Sequence, residues 1–521
     1  SRIVSDLSPE MYVFPTRQAT TTLVAALAIA SLLSYATFLF DPGRAGHPIA
    51  YALLVTAEVI GMLQMLGIWA TVLPSPPAFA PPDVLEIRRA LPQLRKMPVR
   101  VVVFVPVAGE PIETIRATLI GARDIRLAHR TIVLDDGRSD EVKELAGSLG
   151  VEYIRRSTKE HWKAGNINHA LTQVDCDFVA VFDSDQVAEP AFLEEALPYL
   201  LADPQLALVQ TAQYYGNRES FIGGGSAEVQ DIFYRHVQTG KNLYNSAFYV
   251  GTNGLFRREA LDSVEGMYRH SHAEDIWTSI RLHEKGWKTL YVPHILAIGL
   301  GPETVDRYFR QQFRWARGGL EIFFKHNPLF QRTLTVDQKL QYLLVSMFYL
   351  TGFSTLIFFL LPLFYVYFGW KPLDIPEGAL TWLTRCLPYY AMILFSSFHF
   401  LGRVPLWRTF VVAMTAFPSH IAACFSVITG LNLRWSVTGI IRRQTDYVTS
   451  VAPHLLLLLL SLGAIPLLLL YQQEPSVSFI VLLALLWNSA VLVSICKRAI
   501  PAFAHAPVRP SLLAASTPTP S

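Results

Sequence analysis

Charge is scarce in this chain: Asp, Glu, Lys and Arg make up 16% of its 521 residues, where soluble proteins carry about a quarter. That scarcity excludes an ordinary soluble protein, and a hydrophobic content of 51% points to membrane insertion. Paired cysteines are missing as well. Cys176, Cys386, Cys424 and Cys496 stand far apart with no C-x-x-C spacing, so neither a zinc site nor a disulfide framework is expected. Nor is there a large charge imbalance. A net charge of +3 gives no argument for nucleic-acid binding, and no nucleic-acid partner is expected.

What the chain does have is long apolar runs. Thr20 to Phe40, Ile49 to Leu73, Leu343 to Phe368, Val451 to Tyr471 and Val477 to Ile495 each reach or approach the ~20 residues that cross a bilayer. Trp382 to Leu401, interrupted by Arg385, Pro388 and His399, reads as a sixth span. Phe410 to Leu431 is apolar enough to cross, but crossing would place Arg442 and Arg443 outside; an amphipathic helix in the cytoplasmic interface is expected instead. The first run follows Arg2 and Arg17 and lacks a small-residue cleavage site, so it reads as a retained anchor rather than a signal peptide.

The domain organisation follows. Residues 1–96 hold two spans, 97–332 have the charge and periodicity of a soluble domain, 333–500 return to spans and interfacial helices, and 501–521 read as a disordered tail. Arg434, Arg442, Arg443, Lys497 and Arg498 put the soluble domain in the cytoplasm by the positive-inside rule, which predicts a multi-pass protein of the plasma (inner) membrane. The short connections Asp41 to Pro48, Lys371 to Thr381 and Gln472 to Ser476 then face outward. Glu58, inside the second span, is expected to pair with a neighbouring helix.

Within the soluble part, Val101 to Val105, Thr131 to Leu134 and Phe178 to Phe182 are continuous apolar runs of the kind that form buried parallel strands. Helical stretches at Pro111 to Arg126, Ser139 to Leu149 and Pro190 to Leu200 alternate with them. An α/β sheet with its ligands at the strand C-termini is the expectation. Two acidic pairs fall at those ends, Asp135-Asp136 and Asp183-Ser184-Asp185. Such carboxylates suit a hard divalent cation that completes its shell with diphosphate and water, although Asp-x-Asp alone is equally a pair of loop carboxylates. Downstream, Asp275 stands before a helical pattern, where a carboxylate also suits the helix dipole. Gln311, Arg314 and Trp315 lie within about one and a half helical turns, an amide, a guanidinium and an indole suited to a diphosphate and a sugar ring, or simply one face of an amphipathic helix.

Together these motifs resemble the processive family 2 glycosyltransferases, the bacterial cellulose synthases and cellulose synthase-like proteins. Leu134-Asp135-Asp136-Gly137, His161-Trp162-Lys163-Ala164-Gly165-Asn166, Leu208-Val209-Gln210-Thr211, Gly286-Trp287-Lys288-Thr289, Gln311-Gln312-Phe313-Arg314-Trp315, Arg317-Gly318 and Asn327-Pro328-Leu329-Phe330 carry the resemblance. It implies a GT-A-like α/β domain inserted between transmembrane helices. It also implies a processive inverting transfer of glucose from UDP-glucose into a β-glucan, β-1,4 first and β-1,3 or mixed-linkage next, with the growing polysaccharide led across the bilayer.

By the same resemblance, Glu110, Asp135, Asp136, Lys163, Asp183 and Arg314 would hold the donor, and Asp183 and Asp185 a divalent cation, Mg2+ or Mn2+. Asp275 would be the general base, with Gln311, Arg314 and Trp315 the other catalytic groups. Tyr249, Gly251, Thr252 and Trp315 would face the acceptor, and Trp435, Val437 and Thr438 would belong to a gating loop. Partner proteins in the envelope that continue export are compatible with this reading. The chain departs from the pattern at Ala273, which replaces a threonine of T-E-D, and at Phe248-Tyr249-Val250-Gly251-Thr252, which replaces F-F-C-G-S. No cyclic-di-GMP-binding domain is recognisable after the last span. Two other readings share some of these features: a non-processive transferase that links one sugar to a polyprenyl phosphate, and a transporter with a nucleotide-binding domain.

Overall fold

The computed structural model describes residues 18–73, 99–271, 273–401, 406–431, 447–471 and 474–500. The gating-loop residues Trp435, Val437 and Thr438 and the tail lie outside them.

Strand β1 (Val101–Val107) is buried along its whole length. Its alternate residues serve two cores, because successive side chains of a strand point to opposite faces. Val101, Val103, Val105 and Val107 pack under α3 (Ile112–Arg123), α4 (Asp140–Leu149) and α6 (Phe192–Ala202), while Val102 and Phe104 pack against α5 (Trp162–Gln173). This double burial explains the unbroken apolar run. The strand continues two residues past Val105, through Pro106. It can do so because β4 (Phe178–Val181) pairs with β1 only as far as Phe104, and beyond that only β2 (Arg130–Asp135) lies alongside.

The sheet runs β3-β2-β1-β4-β7-β6-β8-β5, adding β3 (Glu152–Ile154), β5 (Gln186–Ala188), β6 (Leu206–Tyr215), β7 (Gly254–Arg257) and β8 (Lys288–Gly299). Only the β3-β2-β1-β4 half has the uniformly parallel order expected from sequence. β7 is antiparallel to both β4 and β6, and β5 is antiparallel to β8.

Helices α1 (Gln18–Leu39) and α2 (Pro48–Val72) precede the sheet. After it come α7 (Phe221–Ile232, within the domain), α8 (Glu274–Glu284), α9 (Val305–Lys325), α10 (Val336–Met347), α11 (Thr351–Phe368), α12 (Ala379–Arg385), α13 (Leu387–Leu401), α14 (Leu406–Thr415), α15 (Phe417–Thr429), α16 (Ala452–Leu470) and α17 (Pro475–Arg498). Six helices among the described residues are long and apolar enough to cross a membrane: Thr20–Leu39, Pro48–Val72, Val336–Phe368, Trp407–Thr429, Ala452–Leu470 and Pro475–Arg498. Five coincide with expected spans. The sixth differs: Trp407–Thr429 stands in place of the 382–401 stretch, which is divided into α12 and α13 at Cys386, although the Cys386 N–H still reaches the Trp382 carbonyl (2.8 Å). The Trp407–Thr429 stretch is 61% buried inside the protein, with α14 on α7 and α15 along α9.

The apolar bundle is tied at both ends. At one end the three short connections meet, through Arg44 with Glu377 (2.9 Å), Lys371 with Glu474 (2.9 Å) and the His47 N–H on the Lys371 carbonyl (2.7 Å). Their meeting accords with one shared side of the membrane. At the other end Lys241 Nζ donates to the Gln341 carbonyl (2.9 Å) and Oε1 (3.0 Å), Thr71 joins the same amide, and the Tyr244 hydroxyl donates to the Ala70 carbonyl. Glu58 is buried and accepts hydrogen bonds from Tyr35 on α1 and Tyr390 on α13, so its partners are phenols. All four cysteines are buried and free.

One seam joins α7 to α14, where Arg408 and Val412 pack onto two glycines. A Cβ on Gly224 would lie 2.5 Å from the Arg408 guanidinium carbon, and one on Gly225 would lie 2.6 Å from Val412 Cγ2. Beside these glycines the buried Glu228 accepts hydrogen bonds from Arg408 and from Thr409 Oγ1 (2.6 Å).

Candidate active site

The site forms where β2, β4 and the first turn of α8 end together. After β4 the backbone is pinned on both sides. The Asp183 N–H donates to Thr252 Oγ1 (2.9 Å), and the Ser184 carbonyl accepts from Thr118 Oγ1 (2.8 Å), which leaves the Asp183 and Asp185 carboxylates as the variable part of the turn. Burial, and then the nearby Asp183 and Glu110 charges, raise the Asp185 carboxyl to about 7. Glu110, in the loop after β1, accepts a hydrogen bond from the Ala108 N–H (2.7 Å).

Lys163 opens α5 and donates to both Asp183 and the Gly251 carbonyl. Burial disfavours its charge, but Asp183, Glu274 and Asp275 outweigh that and hold its pKa above the usual lysine value. The turn before it is strained: His161 and Trp162 both have positive φ, 58° and 45°. Arg156 braces this turn by donating to the Glu160 and Trp162 carbonyls (2.5 and 2.9 Å), while the His161 ring contacts the Arg269 carbonyl. Such strain persists only where surrounding contacts over-determine it, and it concentrates at functional sites.

Glu274 and Asp275 form the first turn of α8. Burial raises both, Glu274 to about 7 with help from Asp275, and Asp275 to about 6 against opposition from the Ile276 N–H (2.8 Å) and Lys163. Helix α9 brings the other expected groups. Phe313, Ala316 and Leu320 bury one stripe against α15, Arg314 stays exposed, and Gln311 Nε2 donates to the Tyr215 hydroxyl (3.0 Å). The charges of Asp185 and Arg314 both act on Tyr215. The close fit between α9 and α8 depends on Gly318, where a Cβ would stand 2.5 Å from the Ala273 methyl. At that contact the departure from threonine to Ala273 is a packing matter.

Several expected ligands are spent on the scaffold. Tyr249 and Thr252, expected at the acceptor, are 1% and 0% exposed. Tyr249 donates to the Gly251 carbonyl, Thr252 fixes Asp183, and together they hold Gly251 at φ +93°, with Asp275 Oδ2 3.5 Å from where its Cβ would be. Asp135 accepts from the Arg138 and Ser139 N–H groups (2.8 and 2.9 Å) and from the Tyr153 hydroxyl (2.6 Å). Asp136 is buried in a bidentate pair with Arg156 (2.7 and 2.6 Å). The sequence reading misses Arg156, Tyr153 and Tyr215; the Arg155-Arg156 pair one strand beyond Asp135-Asp136 was the available signal for the first.

Residues 178–493 match the family described as Glycosyl transferase family group 2. Cellulose synthase 1 of Komagataeibacter xylinus is 34% identical over 275 residues, 51% of this chain and 18% of that protein. The UDP-forming cellulose synthase catalytic subunit of Pseudomonas fluorescens (strain SBW25) is likewise 34% identical over 275 residues, 51% of this chain and 37% of that one. The match thus spans under two-fifths of either relative. Among solved structures, a mannosyltransferase from Pyrobaculum calidifontis in complex with GDP-Man and Mn2+ aligns with a TM-score of 0.48 at 17% identity, over 72% of this chain and 99% of that one.

Proposed function

The chain belongs to glycosyl transferase family group 2, and on that premise we propose that it is a processive, inverting glycosyltransferase that polymerises glucose from UDP-glucose into a β-glucan and leads the product through its own apolar helices. One observation carries the reading: the Lys163 ammonium bridges Asp183 and the Gly251 carbonyl amid Glu274 and Asp275. A single cation thereby joins the place where a diphosphate would leave to the carboxylate that would take a proton.

In this mechanism Asp275 accepts the proton of the acceptor hydroxyl as that oxygen attacks the anomeric carbon of the α-linked donor. The new bond is β, and UDP departs without a covalent intermediate. Lys163 and the exposed Arg314 meet the charge that develops on the diphosphate, and Trp315 offers an indole face to the acceptor ring. Glu110 and the Asp136-Arg156 pair shape the nucleotide end, the pair by fixing the loops around it.

Asp183 and Asp185 fit a hard divalent cation, Mg2+ or Mn2+. They are paired oxygen donors at a strand end, and a cation there would offset the burial and the Asp183 and Glu110 charges that otherwise disfavour the Asp185 carboxylate. Among the described residues no three His, Cys, Asp or Glu side chains form a metal cage, which suits a cation that takes one or two carboxylates and completes its shell with diphosphate and water. When bound, it would neutralise charge on the diphosphate.

The catalytic domain would sit in the cytoplasm, with α9, α14 and α15 at the membrane interface and the 435–438 segment closing over the donor. Membranes supplied with labelled UDP-glucose should form long chains that a β-1,4-specific glucanase degrades; degradation by β-1,3-specific or mixed-linkage enzymes would reassign the linkage. Mainly single sugars attached to lipid would overturn processivity.

A further inference from the structure

We propose that the Tyr215 hydroxyl is a positioning group that fixes Gln311 so that its amide oxygen receives a hydroxyl of the acceptor sugar. This rests on the proposed glycosyl transfer and adds a residue to it. Tyr215 ends β6 and is 2% exposed, its ring wedged at Gly301, where a Cβ would lie 2.7 Å away. Its phenol oxygen accepts two amide N–H groups, from Gln311 Nε2 (3.0 Å) and from Gln230 Nε2 of α7 (3.1 Å). Both amide carbonyl oxygens are buried and lack a donor.

The inventory of groups decides what is missing. A phenol has one proton to give and an amide oxygen can only accept, so the phenol can satisfy one of the two carbonyls at most. Turning either amide over exchanges which one it is and leaves the other over. Buried acceptors are nearly always partnered in a complete structure, so a leftover one calls for a donor that a ligand or an ordered water supplies. Gln311 is the oxygen that belongs to the site, because Arg314 and Trp315 follow at i+3 and i+4 on the same face of α9. What it needs is a hydrogen-bond donor. A sugar hydroxyl meets that need, whereas a phosphate or carboxylate oxygen does not. The charges of Asp185 and Arg314 both act on this phenol.

Tyr215→Phe keeps the ring and removes only the hydroxyl. Binding of cellohexaose, read by tryptophan fluorescence in the presence of UDP and Mn2+, should weaken about three- to tenfold, the worth of one neutral hydrogen bond. UDP affinity should stay within about twofold. Gln311→Ala should weaken cellohexaose to a similar degree, and the double variant should bind no worse than Gln311→Ala alone. Effects that add in the double variant, or a loss of UDP affinity matching that of cellohexaose, would overturn the proposal. The binding measurement needs no turnover. A protein that shows this pattern yet builds no polymer refutes the proposed product and not the role of Tyr215, while failure of the unsubstituted protein to bind cellohexaose overturns both.

Discussion

Burial raises the Asp275 carboxyl to about 6 while the Ile276 N–H and Lys163 restrain it, so it is ionised at neutral pH yet basic enough to accept a hydroxyl proton. Asp275→Asn should lower polymer synthesis by ~10² to 10⁴ with UDP affinity preserved. The rate of the unsubstituted enzyme should fall as pH drops through about 6, because the base is then protonated. Stability moves the other way. A carboxyl whose folded pKa is raised holds its proton more firmly in the folded state, so the folded form loses stability as pH rises from about 4 to about 6. Thermal unfolding should therefore find Asp275→Asn at least as stable as the parent at pH 7.5, with the gap closing toward pH 4. Asp185→Ala should end turnover in a protein that still folds, since a strand-end carboxylate contributes little packing. Undiminished synthesis in saturating EDTA would remove the cation from the mechanism.

Helix α9 must press its backbone onto the loop before α8, and Gly318 is what allows it. Gly318→Ala puts two methyl carbons 2.5 Å apart, a strain worth about 1–3 kcal/mol. Relief by tilting α9 would misplace Gln311, Arg314 and Trp315, for which a ~10²-fold loss of rate is expected from a displacement near 1 Å. Steady-state kinetics beside a melting curve separates the two effects. The contact was not legible in the sequence, although Arg317-Gly318 was noted as a motif. Strands β1, β2 and β4 were legible because burial on both faces leaves an unbroken apolar signature. The antiparallel half was not: β5 has three residues, and β7 owes its place to pairing with β4 and β6, which are distant in sequence. The same limit applies to side chains. Asp135, Asp136, Tyr249 and Thr252 stand in loops the sequence singles out, but only the fold reveals that Tyr153, Arg156, Gly251 and Asp183 are their partners.

The domain and the bundle are joined through a buried lysine. Burial lowers Lys241 to about 7, and its ammonium donates to the Gln341 carbonyl and amide oxygens near the face of the Phe248 ring. Because its folded pKa lies below its unfolded value, this group should add stability as pH rises from about 7 toward 10. Lys241→Met should be neutral or stabilising, since it removes a buried charge. Gln341→Leu should destabilise by about 2–3 kcal/mol, since it strands that charge. Unfolding in detergent micelles across that pH range tests all three. A different joint lies at the seam of Gly224 and Gly225 under α14. Gly224 and Gly225 have no side chains there, so Arg408 and Val412 lie directly on α7, and Glu228 holds the Arg408 guanidinium and the Thr409 hydroxyl of α14. A displacement of helix α14 would then be shared by helix α7 and by Gln230, toward the far end of α7, which donates to the Tyr215 phenol.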